Sequence, residues 1–265
     1  MTAPRWLADN AVRIVGGLIV AYLFVPVVVI VAFSFNDPEG KFNFVWKGFS
    51  LDAWRHPFAE PGLSDALLTS LEVAGLSTLV AVILGTLIAV ALVRYRFRAS
   101  SVIEVLLVLP LTTPEVVLGS SLLVLFLDLD LALGFRTIVL SHIMFQVSFV
   151  AITVRARMRG FDWSLEDAAM DLGAPPLRVF LRITLPLILP GVVAAAVLSF
   201  ALSLDDVIIT FFTSGSETTY PIFVDGARQR AFPPQINVLA TMVLVASMGA
   251  LVVSNLWSSR LRGRR

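Results

Sequence analysis

SLEDAAMDLGAPPLRVFLRITLPLILPG, Ser164 to Gly191, is a charged, proline-punctuated segment set between two long apolar runs. Its first half reads as a short helix. Ser164 followed by Asp167 predicts a capping box, the hydroxyl accepting from a first-turn N–H and the carboxylate reaching back to Ser164. Leu165, Ala168, Ala169 and Leu172 fall at i, i+3, i+4 and i+7 and share one narrow apolar face, while Glu166, Met170 and Asp171 point elsewhere. Gly173 is placed to end the helix in a left-handed conformation, and Pro175 and Pro176 keep it from continuing. So short a helix does not hold itself together in water, which predicts a docking surface on another protein.

The rest of the chain states where that helix must live. At 57% hydrophobic and 15% charged residues, with mean hydropathy +0.88, there is too little polar surface for a soluble domain of 265 residues, so lipid must be part of the solvent. The net charge of +1 gives no reason to expect nucleic acid, and the absence of cysteine excludes disulfides and thiolate metal sites. A bilayer core takes about 20 apolar residues as a helix. Six windows suit it: Ile14 to Phe35, Leu67 to Val93, Val102 to Leu127, Thr137 to Val154, Leu187 to Phe212 and Val238 to Trp257. The expected class is an all-α integral membrane protein of six transmembrane helices. The first window is long and has no small-x-small cleavage site, so it reads as an uncleaved helix.

Orientation follows from the basic residues. Arg5 and Arg13 precede the first span, and Arg94, Arg96 and Arg98 join the second to the third. Arg155, Arg157, Arg159, Arg178 and Arg182 join the fourth to the fifth, and Arg260, Arg262, Arg264 and Arg265 end the chain. The other side holds only Lys41, Lys47, Arg55, Arg136, Arg228 and Arg230. Both termini and the Ser164 segment are therefore expected in the cytoplasm. The basic residues at 94–98 read as a topogenic cluster.

Glu104 and Glu115 fall inside the third window, and Asp205 and Asp206 inside the fifth. Glu115 follows Pro110 and Pro114, and in a continuous helix from Val102 it would lie roughly 20 Å along, near the midplane. An acid there costs about 2.5–3.5 kcal/mol on insertion scales. It should face a polar cavity, or bond to backbone groups that the prolines free. Asp205 and Asp206 are neighbours in SLDDV; one can face a cavity and the other a helix, or the helix ends early and both are external. His142, with Gln146 one turn later, reads as a hydrogen-bonded packing pair. The external loop from Asn36 to Asp65 carries Phe42, Phe44, Trp46, Phe49, Trp54 and Phe58, which suit an interfacial belt with some folded packing, or a platform for an external partner. Tyr220 and Arg228 fall in the last external loop, where they could line an entrance. Small residues Ala74, Gly75, Ala81, Gly85 and Ala89 predict close helix contact in the second span.

The spacing of the opening stretch carries a resemblance. Asp167-Ala168-Ala169, three residues, Gly173, nine residues, Ile183, one residue and Leu185-Pro186 are similar to the EAA loop of ABC importer permeases, with Asp167 in place of the usual Glu and Glu166 beside it. SFNDPEG at 34–40, ALVRYRFR at 91–98, LGF and SHI between 133 and 143, and LSFALSLDDV at 198–207 extend the resemblance to the PotC-type permeases of spermidine/putrescine importers. It implies a type I ABC importer permease fold, with residues 1–65 as first helix and external loop, 66–258 as a five-helix core containing the coupling loop 164–191, and 259–265 as a basic tail. It implies Ser164, Leu165, Glu166, Asp167, Ala168, Ala169, Leu172 and Gly173 as the coupling helix in the groove of an ATPase, and a bacterial inner-membrane location. The implied partners are a second, PotB-like permease, two copies of a PotA-like ATP-binding subunit and a PotD-like extracytoplasmic binding protein.

Glu115, Asp205, Asp206 and Tyr220 would line the path, and the acids give a physical reason for a cationic substrate. The chain would bind no cofactor itself, ATP and Mg sitting at the partner. In keeping with this, neither lysine stands in a Walker A context and no nucleophile–base–orienter set occurs, so no catalytic role is expected. An ABC permease for another solute, such as an aminophosphonate or a metal chelate, shares these features. An ion-coupled secondary transporter would use the same carboxylates as proton or sodium sites.

Overall fold

The structure, a computed structural model, describes residues 5–95, 97–245 and 248–249. The chain divides into two compact units, Met1–Ser64 with Val224–Arg265, and Asp65–Phe223. Among the described residues, four helices are long and apolar enough to cross a membrane: Asn10–Phe33 within α1 (Arg5–Phe33), α3 (Leu63–Arg94), α6 (Phe135–Met158), and Pro176–Asp205. These match the first, second, fourth and most of the fifth windows. The sixth window begins in a helix, Pro234–Val245, and the remainder to Trp257 lies almost wholly outside the described residues.

In the first unit, the chain leaving α1 folds back on itself around two buried asparagines. Asn36 Nδ2 donates to Asn43 Oδ1 (2.6 Å) and to the Val45 carbonyl (2.8 Å), and Asn43 Nδ2 donates to the Phe33 carbonyl (2.8 Å). Phe35 stacks on Phe49 and on Trp54, the latter within the short α2 (Asp52–Arg55), and Phe44 stacks on both Phe42 and Phe232. The loop therefore has folded packing of its own, while Phe44 and Phe49 keep much of their rings exposed.

The second unit is built on α3, α6 and α9 (Leu185–Asp205). Ala81 and Ala89 of α3, Val150, Val154 and Met158 of α6, and Ile188, Val192 and Ala195 of α9 form its core. The small residues do what the sequence suggests at Ala74, Ala81, Gly85 and Ala89, but Gly75 is exposed. At Gly85 an added Cβ would lie 2.7 Å from Val150 Cβ and 2.9 Å from the Val147 carbonyl oxygen. Gly85→Ala is expected to cost about 1–3 kcal/mol as overpacking and to lower the thermal midpoint of the purified protein. Gly75→Ala, whose new carbon meets no neighbouring element within 4 Å, keeps the midpoint or raises it slightly, as a glycine in a helix interior is about 0.5–1 kcal/mol less favourable than alanine.

Two windows are not continuous helices. The third divides into α4 (Ser100–Thr112) and α5 (Glu115–Asp128), bent by 110°. Pro114 has no N–H to continue the ladder, and its ring forces Thr113 into an extended conformation, φ −78° and ψ 133°. The last turn of α4 gains side-chain bonds as well: the Thr112 hydroxyl lies 3.2 Å from the Val108 oxygen, and the Thr113 hydroxyl donates to the Leu109 carbonyl (2.7 Å), which also accepts the Thr113 N–H (3.0 Å). Glu104 of α4 is held by Arg155 of α6 at 2.8 Å.

The fifth window stops at Asp205. Asp206 is extended, φ −65° and ψ 120°, and α10 (Ile208–Thr213) starts after it. The expectation of a helix running to Phe212 is thus corrected. The Asp206 carboxylate accepts from the Thr210 N–H (2.8 Å) and hydroxyl (2.7 Å), which stabilises a new helix start over a continued ladder.

Candidate functional site

The two breaks face one another across a cavity of about 580 Å³ in the second unit. α5 and α10 pack through Leu122, Phe126 and Ile209, which holds the break after Thr113 beside the break at Asp206. Glu115, Asp205 and Asp206 all line this space, together with Pro110, Phe145 and Phe149. Acids separated widely in sequence are therefore brought together. Glu115 stands in the first turn of α5, where unpaired N–H groups favour a negative charge, rather than in mid-helix as its position in the window suggests.

The adjacent aspartates have opposite surroundings. Asp205 is exposed. Asp206 is 7% exposed and is held from two sides, by Thr210 and by His142, whose Nε2 lies 3.3 Å from its Oδ2 and 3.0 Å from the Thr210 hydroxyl. The other ring nitrogen of His142, Nδ1, is 2.6 Å from Ser203 Oγ. With its proton on Nε2, the ring donates toward Asp206 and accepts from Ser203. Ser203 approaches Ser77 (3.4 Å), and Gln146 Nε2 donates to Ser77 (3.0 Å). His142 and Gln146 thus join one buried polar chain through serines of α3 and α9 instead of bonding to each other. Of the two aspartates, only Asp205 presents an exposed carboxylate.

Tyr220 is not among the residues lining this cavity. It begins α11 (Tyr220–Arg230), its N–H donates to Ser70 Oγ (2.8 Å), and burial pushes its phenol up to about 12. The aromatic residues that do line the cavity, Phe145 and Phe149 of α6, were not visible as site residues, because in sequence they are ordinary members of an apolar span.

The Ser164 segment forms α7 (Ser164–Asp171) as expected, with a different start. No capping box joins Ser164 to Asp167. Asp162 takes that role: its Oδ1 accepts from the Ser164 N–H (3.0 Å) and hydroxyl (2.7 Å). These two bonds, the hydroxyl first, hold the Asp162 carboxyl below its usual pKa. The sign follows: the cap is in place above the ordinary carboxylate range and is lost only as pH falls through the lowered value. The end is a Schellman turn, with the Ala174 N–H on the Ala169 carbonyl (3.0 Å), the Gly173 N–H on Met170 (2.9 Å) and Gly173 at φ +84°. The chain re-enters a helix at Pro176, as α8 (Pro176–Val179) and a π-helical turn, Phe180–Thr184, leading into α9.

Most of the apolar stripe on α7 and on Leu172 just past its end faces away from its own chain, while Ala169 is half-buried. Leu165, Ala168 and Leu172 are exposed, Leu172 by 90%, and Asp167 is exposed with them. Glu166, which helical periodicity puts on the polar side, is the buried one, bonded to Arg94 and to the Thr184 hydroxyl. Arg94 therefore has a partner that its reading as part of a topogenic cluster does not include. The signal available in the sequence was the need of any buried carboxylate for a cation.

Residues 81–264 match the model of a family described as the binding-protein-dependent transport system inner membrane component. The chain is 36% identical over 253 residues to the spermidine/putrescine transport system permease protein PotC of Haemophilus influenzae, covering 95% of this chain and 96% of that one. It is 40% identical over 233 residues to the putrescine transport system permease protein PotI of Escherichia coli K12, covering 85% and 82%. Among solved structures, a bacterial ABC transporter involved in the import of the acidic polysaccharide alginate aligns with TM-score 0.70 at 13% identity, over 96% of this chain and 99% of that chain. An amino acid ABC transporter aligns with TM-score 0.60 at 17% identity, over 80% and 100%. The structural likeness shows the fold.

Proposed function

Because this chain belongs to the family of inner-membrane components of binding-protein-dependent transport systems, as a multi-pass permease subunit, we propose that it forms half of the path of an ATP-driven importer of polyamines. The observation that carries the substrate class is the cavity at the two helix breaks. Exposed Glu115 and Asp205 share it with the rings of Phe145 and Phe149. Carboxylates offer charge to protonated amines, and aromatic faces offer a cation–π surface that suits the same groups. The name of PotC points to spermidine and putrescine and that of PotI to putrescine.

A permease of this family acts with an ATPase, a substrate-binding protein and a second permease. The chain itself is non-catalytic, with ATP and Mg handled by the partner ATPase. Both termini and α7 face the cytoplasm, in line with the distribution of Lys and Arg. There the exposed face of α7, with Leu165, Ala168 and Leu172, docks in a groove of the ATPase. Closure of the ATPase on ATP drives α7 and rocks the bundle, turning the cavity from inside to outside. Docking of the loaded binding protein favours the same outward state, through contacts that differ between the two states.

The test is uptake of labelled spermidine and putrescine by the complete complex in proteoliposomes. The expected result is uptake that requires both ATP and the binding protein. Uptake that survives ATP removal and collapses with an ion gradient identifies a secondary transporter. ATP-dependent uptake of an aminophosphonate or metal chelate in place of polyamines rejects the substrate.

A further inference from the structure

We infer that Arg94 is a positioning residue for the coupling step: it ties Glu166 of α7 to the end of α3, so that movement of α7 is passed directly into that helix. This rests on the importer reading and adds the route by which force enters the bundle. Of the 8 residues of α7, only Glu166 is buried. Its carboxylate takes the Arg94 guanidinium and the Thr184 hydroxyl, and Arg94 lies over the ring of Trp163 at 5.9 Å.

One carboxylate thus joins three elements, because Arg94 ends α3 and Thr184 ends the π-helical turn that opens into α9. Trp163 also packs on the core of α3, α6 and α9, which roots the start of α7 beside the ion pair. A surface ion pair separates readily in water. This one cannot separate without leaving a buried charge bare, so its two ends move together. Most of the apolar stripe of α7 is turned outward to a partner, which leaves Glu166 as the inward link.

The test uses the complete reconstituted complex with spermidine and putrescine, and reads substrate moved per ATP hydrolysed. Arg94→Gln is expected to lower that ratio about tenfold, while Arg94→Lys, which keeps the charge without the planar fork, lowers it about two- to threefold. Thr184→Val, which removes one bond of the same carboxylate, lowers it about twofold. Loss of assembled complex at an unchanged ratio would make Arg94 a folding residue only and overturn the inference. The chain has no cysteine, so a second arm replaces the ion pair covalently. Arg94→Cys with Glu166→Cys, bridged by a bis-methanethiosulfonate as long as the Arg–Glu pair, each thiolate displacing methanesulfinate to form a disulfide, regains the ratio that the unbridged protein lacks. A bridged protein that stays uncoupled overturns the inference. A wild-type complex without ATP-dependent uptake rejects the importer reading itself, whatever the variants do.

Discussion

Asp205→Asn combined with Glu115→Gln raises the half-saturating polyamine concentration of the reconstituted importer by about thirtyfold or more and leaves its melting temperature in place. An ammonium and a carboxylate 4 Å apart interact by about 4 kcal/mol at an effective dielectric of about 20 and by about 1 kcal/mol in water. The cavity is open and both acids are exposed, so each is assigned a value near the lower end, roughly tenfold in binding. Neither carboxylate anchors the fold in the way that Asp206 does. Asp206→Leu is the contrast: no acceptor remains where the Thr210 N–H and hydroxyl and the His142 ring all approach Oδ2. Breaking a buried charged network of this kind costs about 3 kcal/mol or more. That variant therefore loses assembled protein first, with uptake following it. Unchanged uptake kinetics in the Asp205, Glu115 double variant would remove the acidic path and, with it, the physical reason for a cationic cargo.

The contrast between the two aspartates also shows where a linear reading runs out. Spans Leu67 to Val93 and Thr137 to Val154 were legible because lipid demands length and apolarity, and both are local properties. The prolines at 110 and 114 announced a disturbance, but the 110° bend depends on what α5 packs against, which is Ile209 of a helix that the sequence did not separate from α9. Asp206 ends α9 because His142 and Thr210 are there to receive it, and no period links positions 77, 142, 203 and 210. Glu166 failed the same way. On an isolated helix it belongs to the polar face; in the folded chain Arg94, far upstream, and Thr184 draw it inward. By contrast Gly173 and Pro175 act through their own backbones, and their effect was readable in place. Fold and cargo separate along the same line. A chain of the alginate transporter shares this fold over nearly its whole length at 13% identity, so the fold alone does not decide what is carried.

Gly173 gives the sharpest test of α7, because its two requirements can be separated. Its φ is +84°, and no atom lies within 4 Å of an added Cβ. A substitution there meets strain from backbone conformation alone, without steric overlap. Left-handed backbone costs an ordinary L-residue about 1–2 kcal/mol, and a β-branched residue is the worst placed to adopt it. Asn tolerates that region. A helix of 8 residues has little intrinsic stability to offset the strain. In Gly173→Val the Schellman bonds from Ala174 to Ala169 and from Gly173 to Met170 open, the last turn unwinds, and Leu172 no longer stands beside Leu165 on the exposed face. The expected result is about a tenfold loss of ATPase co-purifying with the permease, in line with the roughly 1.4 kcal/mol lost, while the permease still inserts. Gly173→Asn keeps co-purification and transport within about twofold of wild type, because it fits the same φ. If Val and Asn fail equally, the position needs a missing side chain rather than a left-handed turn. If Val couples like wild type, α7 is not the element that the ATPase grips.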